Sequence, residues 1–281
     1  MIAALDIGGT HVSAARVDLT ARRAEQHVRV EYEPQADRDV LLDGILGAAS
    51  SVSSPAVGAV GVSVPGPFDY ANGVCTIRGL GKLEALYGVD LRRELAQACA
   101  VEAGAVVFLN DAEAFLLGEA GYGVARGHAR AIGLTLGTGL GSAFLVDGAI
   151  VREGTGVPPD GDIHVLQFRG APVEDRISAR GLRARTNDGR DVRELAHAAR
   201  AGEAEARRAF DAFSADLTEF LEPCVRAFAP TCVVVGGSIA RTWDLIGATL
   251  KAAFWQVKVT RAARLDEAAL FGAALSTSAR P

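Results

Sequence analysis

The chain has 281 residues, a formal net charge of −5, and 49% hydrophobic against 22% charged residues, a balance ordinary for a globular protein long enough for two domains with separate cores. The negative charge and the lack of any dense Lys/Arg cluster argue against a nucleic-acid-coating surface, and no apolar run approaches the roughly 20 residues of a membrane-spanning helix. Met1 runs directly into a first strand, leaving no room for a secretion signal, so a cytoplasmic location is expected.

A short apolar strand at 2–5 leads into Asp6, Gly8, Gly9 and Thr10 and then into a second apolar stretch. Sliding the sequence by 129 positions sets Leu5, Gly8, Ser13, Ala14, Val17 and Asp18 on Leu134, Gly137, Ser142, Ala143, Val146 and Asp147. A match at corresponding points of two half-chains reads as a duplication, each copy being strand, glycine turn, strand. Such a turn leaves backbone N–H groups free for an anion, and it equally fits a hairpin with no ligand. A third strand at 28–32 alternates polar and apolar residues. A helix at 37–53 carries Val40, Leu41, Ile45 and Leu46 as its stripe, and a buried strand at 57–64 is ended by Pro65-Gly66-Pro67. A glycine-rich loop at 68–86 precedes a helix at 91–101 and a strand at 106–109 ending in Asn110-Asp111, after which 112–119 turns helical. A carboxylate at the carboxyl end of an apolar strand lies where α/β proteins bind ligands; it also fits an N-cap of the following helix. The domain boundary is placed at 113/114, within a connection whose Gly118, Gly121, Gly123 and Gly127 give it the freedom of a hinge.

The second half repeats the pattern at 131–146, adds a short strand at 149–152, and enters a loop at 153–172 whose length marks function or mobility. Helices are predicted at 173–185, 192–200 and 203–228, the last burying Phe210, Phe213, Leu217, Phe220, Leu221 and Val225, with a kink at Pro223. A strand at 231–235 turns through Gly236, Gly237 and Ser238 into a helix at 239–254; a strand at 257–260 and a helix at 266–276 close the chain. Cys75, Cys99, Cys224 and Cys232 show neither CxxC nor zinc spacing and read as buried hydrophobes. The run Gly137-Thr138-Gly139-Leu140-Gly141-Ser142 ends in serine and continues as a strand, unlike a dinucleotide fingerprint, and no turn ends in the Gly-Lys-Ser/Thr of a Walker loop. By spacing alone, His164 reads as a surface histidine and Glu174 as a first-turn acid.

Taken in order, Asp6-Ile7-Gly8-Gly9-Thr10, Pro65-Gly66-Pro67, Asn110-Asp111-Ala112-Glu113-Ala114, Leu136-Gly137-Thr138-Gly139-Leu140-Gly141 and Val234-Val235-Gly236-Gly237 resemble the motifs of ROK-type sugar kinases, over essentially the whole chain. The resemblance implies an α/β fold of two ribonuclease-H-like domains around a cleft, as in actin, hexokinase and the heat-shock ATPases. The domains would be 1–113, rejoined by the last helix at 266–278, and 114–265. It implies that Asp6, Gly8, Gly9, Thr10, Gly137, Thr138 and Gly139 hold the phosphates of ATP and a magnesium ion, with Asp6 the metal residue, directly or through water. Gly236, Gly237 and Ser238 would border the adenosine. Gly66, Asn110 and Asp111 would face the sugar with Asp111 as general base, and Asp162, His164 and Glu174, followed by Ser178, would complete the sugar pocket.

Three departures from the family pattern stand out. The family's cysteine-rich zinc motif, expected between Asp162 and Glu174, is absent, so no structural zinc is expected and the loop must be held otherwise. Asp162-Ile163-His164 replaces glutamate, isoleucine, glycine and histidine. Gly79 stands near the place of a sugar-loop asparagine. The resulting expectation is ATP-dependent phosphorylation of a hexose by a cytoplasmic homodimer that contacts neither nucleic acid nor membrane. The alternative is a sugar-sensing or non-catalytic protein of the same type without a DNA-binding domain.

Overall fold

The structure is a computed structural model describing residues 1–186 and 188–278. The chain divides into two compact units, Met1–Tyr122 with the segment from Asp266 onward, and Gly123–Leu265.

In the first unit β1 (Ile2–Ile7), β2 (His11–Asp18) and β3 (Arg23–Glu31) form an antiparallel ribbon. There follow α1 (Arg38–Val52), β4 (Ala59–Val64), the small hairpin β5 (Phe68–Asp69) and β6 (Val74–Cys75), α2 (Leu91–Cys99), β7 (Val106–Asn110) and α3 (Asp111–Tyr122). The sheet order is β3-β2-β1-β4-β7, with β4 parallel to both β1 and β7. Leu5, Ile7, Val60, Val62 and Val106 are buried against Leu41, Ile45 and Leu95 of the helices.

The second unit runs through β8 (Arg130–Leu136), β9 (Leu140–Val146), β10 (Ala149–Val151), the hairpin β11 (Gln167–Phe168) and β12 (Ala171–Pro172), α4 (Ala179–Arg183) and α5 (Val192–Arg200). It continues with α6 (Ala204–Phe228), β13 (Cys232–Gly236), α7 (Trp243–Ala253) and β14 (Lys258–Arg261). Its sheet, β10-β9-β8-β13-β14, repeats the first in order and direction. Phe144, Phe210, Phe213 and Phe228 fill the core, the α6 members recurring at helical spacing, and α6 continues past Pro223.

The two hairpins differ by one residue. Ile7 pairs with Val12, but Leu136 pairs with Leu140, so the second turn is shorter by one. The slide of 129 therefore holds on the first strands and falls out of step on the return strands: Asp6 faces Ser13, whereas Leu134 faces Ser142. One residue of offset changes the face a side chain occupies. Ser13 is partly exposed while Ser142 is buried, donating to Gly161 O and accepting from Ile163 N.

The chain returns to the first unit as α8 (Ala268–Ser276), which packs on α3 and β4 with backbones nearly touching. A Cβ on Gly118 would stand 1.9 Å from Ala268 O, one on Gly272 1.7 Å from Ala114 O, and one on Gly61 1.9 Å from Ala273 O. Gly118 and Gly121, read as hinge residues, are instead interior residues of α3, their missing side chains making room for α8. The helix predicted at 173–185 is split: a 3-10 turn at Val173–Asp175 precedes α4, because Ser178 is extended at φ −158° and caps α4 by accepting from Gly181 N. The helix predicted at 239–254 likewise opens as a 3-10 turn, Ile239–Thr242, before α7. Among the described residues no helix is long and apolar enough to cross a membrane.

Candidate active site

In the first unit, strand register puts the polar residues on one edge. Asp6 of β1 pairs with Ser63 of β4, Ser63 with Leu109 of β7, and Val64 with Asn110. Asp6, Ser63, Asn110 and Asp111 therefore share the carboxyl edge of a parallel sheet, where α/β proteins bind ligands. Ser63 Oγ, fully buried, donates to Asp6 Oδ1 at 2.7 Å. Burial pushes the Asp6 carboxyl up to about 6; the Ser63 hydrogen bond opposes the rise, the nearby Asp111 adds to it, and Arg29 weakens it. The glycine turn is pinned from both sides, by Gly8 N donating to His11 O at 2.8 Å and by Tyr32 OH donating to Gly8 O at 2.8 Å. Thr10 is exposed, with its Oγ1 3.2 Å from His11 Nδ1.

Asn110 and Asp111 combine the two readings of their motif. Each side-chain Oδ1 lies 2.9 Å from Ala112 N, capping α3, so both carboxamide and carboxylate are fixed at the strand end. Asn110 Nδ2 also donates to Tyr70 OH at 3.3 Å, and Tyr70 OH donates to Val64 O at 3.3 Å. Tyr70 OH lies 3.4 Å from where a Cβ on Gly66 would stand, so Tyr70 ties Gly66 to Asn110. The Gly66-Pro67 peptide is cis.

In the second unit Gly137, Thr138 and Gly139 close their turn internally, Gly137 N donating to Gly139 O at 3.0 Å. Gly237 follows β13 at φ +81°, where a Cβ would meet Leu136 O at 2.3 Å, and Ser238 Oγ lies 3.4 Å from a Cβ on Gly137. The turns at 137–139 and 236–238 are thus neighbours at the carboxyl ends of β8 and β13. Glu174 joins them: its Oε1 accepts from Leu140 N at 2.8 Å and stands 2.6 Å from a Cβ on Gly139. Its other carboxylate oxygen makes no hydrogen bond among the described residues, and Ser178 Oγ secures its carbonyl. Asp162 and His164 sit beside each other, Oδ1 to Nδ1 3.8 Å, both partly open to solvent.

A model of the ROK family matches residues 2–279. The chain belongs to the ROK family. It is 28% identical to a glucokinase of Thermotoga maritima over 278 residues, covering 88% of this chain and 84% of that protein. A ROK glucokinase from Streptomyces griseus, solved with glucose and AMPPNP, superposes with a TM-score of 0.79 at 25% identity, covering 98% of each chain. A ROK hexokinase from Thermus thermophilus gives 0.78 at 26% identity, covering 98% of this chain and 97% of that one. The fold is the α/β architecture of the actin-like ATPases.

What holds the 162–178 loop of this ROK chain is an ion cluster and an aromatic pair. Asp216, buried on α6, takes Arg169 Nη1 at 2.9 Å, Arg185 Nη2 at 2.8 Å and, more loosely, Arg176 Nη1 at 3.5 Å. Arg169 also reaches Glu219, and Phe168 meets Phe220 edge-on with centroids 5.7 Å apart. Arg169 and Arg176 flank Glu174 in sequence, so the cluster fixes the segment that delivers Glu174 to the turn. Sequence reading passed over Ser63, Tyr32, Tyr70 and Asp216; a buried serine at a parallel-strand end was the one local hint.

The residues fit a phosphorylated donor with a divalent cation. Asp6 is enclosed without being sealed, its carboxyl is held high by burial and by Asp111, and a cation at this place would relieve both.

Proposed function

We propose that this ROK protein is a sugar kinase transferring the terminal phosphoryl group of ATP to a hydroxyl of a hexose, glucose or a close relative. The observation that carries the reading is the shared edge of the first unit, where the glycine turn with Asp6 at the end of β1 and Asn110-Asp111 at the end of β7 flank the parallel strand β4 that lies between them.

Gly8, Gly9 and Thr10, and likewise Gly137, Thr138 and Gly139, are assigned to donor phosphates, and Ser238 with Gly236 and Gly237 to the nucleoside. Asp6 would hold magnesium, directly or through water, and the ion would supply charge neutralisation at the phosphates. Asp111, immobilised by the Ala112 N–H, accepts the proton of the attacking hydroxyl as its oxygen forms the new O–P bond and the bond to the ADP leaving group breaks. In such loose transition states the charge spreads over the phosphoryl oxygens, and positioned N–H groups stabilise it without reorganising. Asn110, anchored to Tyr70, orients the sugar; Asp162, His164 and the unengaged Glu174 oxygen take its hydroxyls.

The test is ADP release by purified protein with ATP and magnesium against a panel of hexoses and N-acetylhexosamines, with Asp111→Ala alongside. Sugar-dependent turnover that falls about 10²- to 10⁴-fold in the variant, with ATP-analogue affinity retained, is the expected outcome. Saturable sugar binding with no turnover on any substrate would replace the kinase reading with that of a sugar-sensing protein.

A further inference from the structure

We propose that Lys82 is a phosphate-contacting residue, its ammonium neutralising the terminal phosphate of the donor at the Asp6–Thr10 turn; the inference rests on the kinase reading of that turn. The lysine lies 72 or more residues downstream of the motif, and no spacing rule links the two, yet its stem lies across the turn's glycine. A Cβ built on Gly9 would stand 3.0 Å from Lys82 Cδ, 3.2 Å from its Cβ and 3.7 Å from its Cγ. Nζ is two bonds beyond Cδ, so the charge is tethered within a side chain's reach of the turn.

The surroundings of Lys82 are fixed on both sides. Gly81 N donates to Glu84 Oε1 at 2.6 Å, while Leu83 is buried, sits at φ +56° and donates its N–H to Pro34 O at 3.1 Å. The neighbouring acids are committed, Glu84 to Gly81 and Asp6 to Ser63. Lys82 itself makes no hydrogen bond or ion pair among the described residues. An ammonium on a positioned stem beside backbone N–H groups, with no acid of its own, suits the point-charge binding of a phosphate. A stem that merely covered glycine would do so equally well as methionine, and this provides the control.

The experiment measures calorimetric affinities for AMPPNP, ADP and glucose, each with magnesium, in wild type, Lys82→Met and Lys82→Arg, together with sugar-dependent turnover. Methionine keeps the packing on Gly9, and unchanged thermal midpoints verify this. The expected result is AMPPNP binding weakened about tenfold in Lys82→Met, ADP and glucose binding changed less than about twofold, and most of the loss restored by arginine. Equal AMPPNP affinity in wild type and Lys82→Met, or equal losses for AMPPNP and ADP, would overturn the assignment. A wild type that binds AMPPNP but shows no sugar-dependent turnover would defeat the kinase reading alone, leaving the AMPPNP-to-ADP comparison to decide on Lys82. A wild type binding neither nucleotide would overturn both.

Discussion

The two glycine turns sit on sheets of one topology, yet each obtains its acid differently. In the first unit the acid belongs to the strand: Asp6 is part of β1, held by Ser63 from the adjacent strand. In the second the equivalent strand position is Thr135, facing Gly236, and the acid arrives from a loop 34 residues downstream as Glu174 on Leu140 N. A strand-borne acid is held by the sheet and its neighbouring strand, whereas a loop-borne acid depends on whatever holds the loop. The two units share one scaffold, and their hairpin turns differ in length by one residue.

The strand-borne acid offers the largest effect. Asp6 is expected to titrate near 6, above its ordinary value of 3.8. A folded-state carboxyl raised in this way favours the protonated form, so the contribution of Asp6 to stability is highest at low pH and falls as pH rises from 3.8 through about 6. The shift corresponds to a cost of about 3 kcal/mol at neutral pH. Asp6→Asn is therefore expected to lower kcat/KM about 10³-fold while raising unfolding stability at pH 7.5, a gain that shrinks toward zero near pH 4. Urea titrations across pH 4 to 8 check it; a destabilised variant at pH 7.5 would show that Asp6 is not strained in the way the comparison requires.

The loop-borne acid is tested through its anchor. Asp216→Ala leaves Arg169, Arg176 and Arg185 without their shared carboxylate, Arg185 being the most enclosed of them. Only Arg185 is left enclosed with its charge uncompensated, Arg169 and Arg176 being half-exposed and Arg169 keeping Glu219, so a loss of about 1 to 2 kcal/mol is expected. Because the loop carries Glu174, KM for the sugar should rise further than the KM for ATP. Equal changes in both constants would separate the cluster from the site.

Much of this was legible locally. Alternating and continuous apolar runs, the strand-ending Pro65-Gly66-Pro67 and the glycine turns marked most of the strands, and the resemblance of ordered motifs pointed to the family before any geometry. The missing pieces are contacts between distant positions. Ser63 meets Asp6 across 57 residues, Asn110 meets Tyr70 across 40 and Arg169 meets Glu219 across 50. No periodicity encodes such pairings; they follow from strand order and from a helix laid against a loop. Gly118 shows the converse error, since a glycine within a sequence reads as flexibility until the chain that presses against it is known.

The smallest effect is also the one most specific to the strand-borne acid. Ser63 Oγ donates to the Asp6 carboxylate, favouring its charged form and opposing the upward push of burial. Ser63→Ala removes that donor from a fully buried position, so the Asp6 carboxyl should climb by about one further unit. The acid limb of the pH profile of kcat/KM, which reports the free enzyme, moves to higher pH by the same amount, while activity on its alkaline side changes little. Stability follows with a fixed sign: the variant loses more at pH 7.5, where Asp6 is charged, than at pH 4.5, where wild type and variant both carry it protonated. In the second unit Gly236 occupies the place of Ser63, opposite Thr135, and no carboxylate there needs a donor. A profile unmoved by Ser63→Ala would mean that Asp6 does not set the acid limb, and the division of labour between the two turns would have to be redrawn.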